Sequence, residues 1–242
     1  MSQPLAKAGS DATPQTEPDG FRVWRPGLIK YRDALTFQAE LVDQRRDWAH
    51  DLLILLEHPP VITFGRKTEP SNLLWDQKTL QAAGIDCVSS QRGGDITLHS
   101  PGQLVGYPIV DLTPYGKDLH RYLRQLEDIL IRTLADFGLS GTALPGKTGV
   151  WVDGRKIASI GIAVRRWISY HGLALNIDND LTDFAAIVPC GLPGVTMTSM
   201  SQELGGPVAK DQVAEILIGH FGAVMQRSLL GNFDDTTTPT QA

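Results

Sequence analysis

Apolar positions along this chain follow two rhythms, one helical and one extended. Residues 31–48 keep a helical spacing through Tyr31, Ala34, Leu35, Leu41 and Val42, which predicts a first helix. Residues 51–57, Asp-Leu-Leu-Ile-Leu-Leu-Glu, are a short unbroken apolar run, the pattern of a strand covered on both faces. His58-Pro59-Pro60 interrupts the run, and 61–64 resumes extended. Strands are expected at 85–89, at 96–99 and, after a Pro101-Gly102 turn, at 104–112. Residues 117–137 form the clearest helix: Leu119, Tyr122, Leu126, Ile129, Leu130, Leu134 and Phe137 share one face, and Gly138 stops it. An Asp153-Gly154 turn joins 150–152 to 156–164 as a hairpin, and 167–177 adds a third strand. A last helix is expected at 211–229, with Val213, Leu217 and Phe221 facing inward. Strands and helices interleave without a strict alternation. The expected class is therefore α+β, a mixed sheet flanked by helices.

Composition narrows the setting. At 242 residues with no long linker, the chain is read as one domain at 21–230, between disordered tails at 1–20 and 231–242 rich in small and polar residues. A net charge of −5 argues against a nucleic-acid partner. The two cysteines, Cys87 and Cys190, imply no disulfide framework and fit a reducing cytoplasm. Cys87, within an expected strand, reads as a small buried hydrophobe. No apolar run is long enough to span a membrane, and no signal-peptide core precedes the domain.

Candidate chemistry centres on Arg92-Gly-Gly-Asp-Ile-Thr-Leu-His-Ser-Pro-Gly-Gln103, where paired glycines let backbone approach a ligand beside an arginine and a histidine. The stretch leads into a strand rather than a helix, so it is no dinucleotide fingerprint. Gly141-Thr-Ala-Leu-Pro-Gly146-Lys147-Thr148 matches the phosphate-loop pattern, but that loop needs a strand before it and a helix after it. Here the order is helix, then strand. Histidines and cysteines show no metal-ligand spacing. Cys190 stands between a proline and a glycine, and Lys156 follows the hairpin turn. A structural cysteine and a solvated lysine are the plain alternatives, and only a meeting of the two in space would give chemistry.

Five ordered blocks carry a resemblance: Leu56-Glu-His-Pro-Pro-Val-Ile-Thr63, the stretch at 92–103, Lys156-Ile-Ala-Ser-Ile-Gly161, His171-Gly-Leu-Ala-Leu-Asn176 and Pro189-Cys190-Gly191. Together they resemble the lipoyl(octanoyl) transferase family, with Ser100 and Leu98 departing from its usual residues. The resemblance implies a fold of the biotin/lipoate protein ligase catalytic-domain type. It implies that Cys190 forms an acyl-enzyme and that Lys156 tunes it. It further implies that Arg92, Gly93, Gly94, Asp95, Ile96, Thr97, Leu98, His99, Ser159, Ile160, Gly161, Gly172, Leu173 and Ala174 line the substrate, with no metal and no cofactor. The implied donor is octanoyl-acyl carrier protein. The implied acceptors are lipoyl domains of 2-oxoacid dehydrogenase E2 subunits and the glycine cleavage H protein.

The chemistry agrees with that assignment. A cysteine exchanges one thioester for another of similar energy, and a nearby ammonium favours the reactive thiolate. Amides near Gly191 or the Arg92 glycines are expected to hold the oxyanion. Ile96, Leu98, Ile157, Ile160 and Leu173 are expected to form an acyl tunnel. Two other readings stand beside this one: an ATP-dependent lipoate–protein ligase on the same fold, and a non-catalytic lipoyl-domain binder.

Overall fold

The computed structural model describes residues 20–45, 48 and 50–233; the expected tails lie outside these apart from Gly20 and residues 231–233. Strand β1 (Gly20–Leu28) leads into helix α1 (Tyr31–Gln44), then β2 (Asp51–Glu57) and β3 (Val61–Phe64). Helix α2 (Gln77–Ala82) precedes β4 (Asp86–Ser89), β5 (Ile96–His99) and β6 (Gln103–Ile109). After α3 (Leu119–Ala135) come β7 (Thr142–Leu144), β8 (Lys147–Val152), β9 (Arg155–Arg165) and β10 (Ile168–Asn176). Helices α4 (Met200–Leu204) and α5 (Lys210–Met225) and strand β11 (Ser228–Asn232) complete the described chain.

Eight strands form one sheet in the order β11-β1-β2-β6-β10-β9-β8-β7, and three form a smaller one, β4-β3-β5. Both sheets are mixed: β1 runs parallel to β2 and β11, while β2, β6, β10, β9 and β8 pair antiparallel in turn. The apolar run in β2 is explained by its position. Leu53 and Leu55 pack with α3 and α5, whereas Leu52, Ile54 and Leu56 pack with α1 on the other face. A third cluster joins Ile62, Ile96 and Leu98 of the small sheet to Phe184 and Met197.

Several boundaries differ from the periodicity, each for a local reason. Helix α1 stops at Gln44 because Arg45 turns inward to pair with buried Asp51, 2.6 Å away. Leu119, expected on the core face of α3, is exposed at the first turn, where Asp118 accepts hydrogen bonds from the amides of His120 and Arg121. The last helix ends at Met225, not 229. Gln226 adopts a left-handed conformation, and the chain reverses into β11 beside β1. Cys87 is half-buried in β4; burial, then the neighbouring Asp86 carboxylate, pushes its thiol up.

Candidate active site

A cavity of about 400 Å³ is lined from both sheets. The 92–95 loop forms one wall, docked by the Gly93 amide donating to the Ile162 carbonyl of β9 at 2.8 Å. Thr97 and His99 reach in from β5, Ser159, Ile160 and Gly161 from β9, and Gly172, Leu173 and Ala174 from β10. Lys156 and Cys190 meet at the same cavity: Lys156 Nζ donates to Cys190 Sγ at 3.0 Å and to the Thr148 carbonyl at 3.0 Å.

Backbone pairing brings these two residues together across 34 positions of sequence. The amide of Lys156 donates to the Thr196 carbonyl at 2.8 Å, and the amide of Thr198 donates back to the Lys156 carbonyl at 2.9 Å. The chain just past Cys190 is thus bridged to the start of β9. Cys190 occupies a single 3₁₀ turn over Pro189–Gly191 with φ of 57°, a left-handed conformation rare for a residue with a side chain. Gly191 is required beside it: φ is +65°, and a Cβ there would lie 2.2 Å from Asp95 Oδ2. That carboxylate also accepts from Asn72 Nδ2 at 2.6 Å, and the Asn72 carbonyl accepts from the Val188 amide at 2.8 Å, which ties the segment leading into the cysteine turn to the Asp95 loop.

The cavity differs from the expected one in two respects. Ile96 and Leu98 point away from it into the third core cluster, and Ile157 lies in the first. In a strand, alternate side chains face opposite ways, so Thr97 and His99 take the cavity and their neighbours take the core. Two of the expected oxyanion amides are also engaged elsewhere. Gly191 N–H donates to Val188 O at 3.0 Å, and Gly93 N–H to Ile162 O.

Residues not foreseen also line the space: Tyr31, Lys67, Tyr107, Gly146, Lys147, Thr148, His171 and Leu192. Tyr31 sits on what periodicity marked as the core face of α1, and Gly146-Lys147-Thr148 belong to the discarded phosphate-loop pattern. That pattern is a β-hairpin, with β7 pairing β8 across the Pro145-Gly146 turn. The charged side chains lining the cavity are Lys67, Arg92, Lys147 and Lys156 against the single carboxylate of Asp95, in a chain of net charge −5.

Buried polar groups hold one side of the cavity rigid. The Arg92 guanidinium donates to Thr63 O at 2.6 Å, to Thr63 Oγ1 and to Gly93 O; burial pulls its basicity down. His58 bridges Ile29 O at 2.6 Å and Tyr107 OH at 2.7 Å, and burial lowers its pKa to about 4. His99 is lowered to about 3 by burial and by neighbouring His58, and His171 to about 3 by burial and Arg92. Gln103 Nε2 donates to Leu98 O and Asn176 Oδ1, so its Oε1 faces His99 Nδ1, 2.7 Å away. Nδ1 therefore carries the hydrogen, and Nε2 of the neutral ring keeps its lone pair.

The lipoyl protein ligase A/B catalytic domain matches residues 30–222. The chain belongs to that family. A relative from Geobacter metallireducens, named octanoyltransferase, is 45% identical over 204 residues, covering 84% of this chain and 92% of its own. Another of that name from Gloeobacter violaceus is 53% identical over 170 residues, covering 69% and 74%. Among solved structures, lipoate-protein ligase A bound with ATP superposes with a TM-score of 0.72 at 16% identity, covering 90% of each chain. A bipartite lipoate protein ligase from Thermoplasma acidophilum gives 0.66 at 15%, covering 90% and 89%. At such identities the likeness extends to the fold: a mixed sheet flanked by helices. Among the described residues no three His, Cys, Asp or Glu side chains converge as a metal site, and no helix is long and apolar enough to cross a membrane.

Proposed function

We propose that this chain is an octanoyltransferase: it moves an octanoyl group from an acyl carrier protein onto a lysine of a lipoyl domain, through a thioester on Cys190. The 3.0 Å contact between Lys156 Nζ and Cys190 Sγ carries this reading. An ammonium hydrogen-bonded to sulfur stabilises the thiolate, the nucleophilic form. The Cys190 thiolate attacks the donor's thioester carbonyl, forming one C–S bond as the carrier's C–S bond breaks. The departing carrier thiolate takes a proton from the Lys156 ammonium. The acceptor lysine amine then attacks the enzyme thioester; its proton goes to the now neutral Lys156, and the Cys190 thiolate leaves. Each cycle restores both groups. Acceptors are the lipoyl domains of 2-oxoacid dehydrogenase E2 subunits and the glycine cleavage H protein, and the setting is the reducing cytoplasm, where both cysteines stay free.

The ATP-dependent ligase reading shares the fold but has no use for Cys190. Intact mass spectrometry after incubation with octanoyl-acyl carrier protein separates the two. One octanoyl adduct is expected on the wild-type chain and none on Cys190→Ala, which also loses transfer. Octanoylation of a lipoyl domain from free octanoate only when ATP is present would favour the ligase instead.

A further inference from the structure

We infer that the β7–β8 hairpin is the socket that aims Lys156, with Trp151 and Gly149 as its positioning residues. This rests on the proposed roles of Lys156 and Cys190. A lysine carries its charge on a flexible four-carbon stem, and a buried one must be held by its surroundings. Lys156 is 1% exposed, and two of the three groups around its ammonium come from β8. Besides the Thr148 carbonyl, Nζ stands 5.4 Å from the centre of the Trp151 indole, a cation–π distance. Trp151 is itself 2% exposed and is the direct cross-strand partner of Lys156 in the β8–β9 ladder.

Register and glycine complete the socket. Val150 pairs with Ala158 but Trp151 with Lys156, so Ile157 is an extra residue on β9. Such a bulge re-aims the side chain beside it: Ile157 enters the core while Lys156 faces Cys190. Gly149 has φ of +127°, and a Cβ there would lie 2.8 Å from Lys156 Cε and 2.5 Å from Ala158 O. Its amide is fixed by the buried Glu127 carboxylate at 3.1 Å. The discarded phosphate-loop pattern therefore ends at Thr148, whose carbonyl seats the lysine, and Gly149 just after it makes room by its lack of a side chain.

The test uses a Cys87→Ser background, which leaves Cys190 as the sole cysteine. Trp151→Leu and Trp151→Phe are made with Lys156 intact and with Lys156→Met. The readouts are iodoacetamide alkylation of Cys190 at pH 7, kcat and KM for octanoyl transfer, and thermal melting. Trp151→Leu should slow alkylation and lower kcat by at least about fivefold at unchanged KM, and Trp151→Phe, which keeps a π-face, should recover most of both. With Lys156→Met, Trp151→Leu should no longer change alkylation. Equal losses for Leu and Phe, or the same loss without Lys156, would make Trp151 a packing residue and overturn the inference. If Trp151→Leu does not fold, fluorinated tryptophan weakens the ring's quadrupole at nearly constant shape. Alkylation slowed only when Lys156 is present supports the socket, and an unchanged rate overturns it. Alkylation needs no acyl donor, so a wild type that never forms an octanoyl adduct would refute the transfer reading while leaving this test intact.

Discussion

Cys190 and Gly191 occupy consecutive left-handed positions, and the strain of the first is held by the second. Gly191→Ala would place a methyl against the Asp95 carboxylate as well as straining the backbone. It should cost about 1–3 kcal/mol by urea denaturation and lower transfer by displacing Sγ from Lys156 Nζ. A variant with unchanged stability and rate would show that the turn tolerates movement. Lys156→Met keeps length and removes charge. It should slow alkylation of Cys190 at pH 7 and reduce transfer steeply, because both thiolate formation and amine deprotonation suffer. Unchanged alkylation with lost transfer would instead assign Lys156 to placing the substrate. Part of this site was legible in the residues themselves: the Asp153-Gly154 turn makes Trp151 the partner of Lys156 by counting. The partnership of Lys156 with Cys190 was not, because a non-local loop creates it.

Among the elements, β5 shows how a correct pattern misassigns a wall. Its alternation is visible in the sequence, but both sets of residues are buried: Ile96 and Leu98 against the core, Thr97 and His99 against the cavity. Leu98→Ala should therefore cost about 2–5 kcal/mol of stability and leave acyl-chain preference unchanged. Leu173→Ala, on the cavity, should relax the preference for eight carbons over ten. Competition between octanoyl and decanoyl donors, measured beside denaturation curves, checks both. A changed chain-length ratio in Leu98→Ala would return that residue to the wall. The terminal strands carry little local signal for a related reason. β11 is only five residues long and gains its identity from β1, with which it pairs.

Across the whole molecule, burial of histidines gives stability a direction in pH. His58, His99 and His171 are held at about 4, 3 and 3, whereas the unfolded chain would bind their protons near 6.5. Their neutral burial is fully tolerated above pH 6.5, and stability is lost as pH falls from there toward 4. Three protons amount to at most about 4 kcal/mol per pH unit. Burial also raises Asp51, which acts in the opposite sense but through one proton. Calorimetry should find the melting temperature on the order of 10 °C lower at pH 5 than at pH 7.5. A flat profile would mean that these rings take up protons within the fold.

Periodicity and turn chemistry alone determined the class of fold, the helices at α3 and α5, the β8–β9 hairpin and the rejection of a nucleotide loop, because each depends on neighbours in sequence. The ordered blocks marked Lys156, Cys190 and most of the cavity wall. Only the tertiary structure decided that Nζ lies 3.0 Å from Sγ, which face of β5 meets the cavity, and that Gly191 and Gly93 amides are engaged elsewhere. These depend on which surfaces pack together and which hydrogen bonds are already taken. Contacts of that kind join residues far apart in the chain, and no local pattern encodes them.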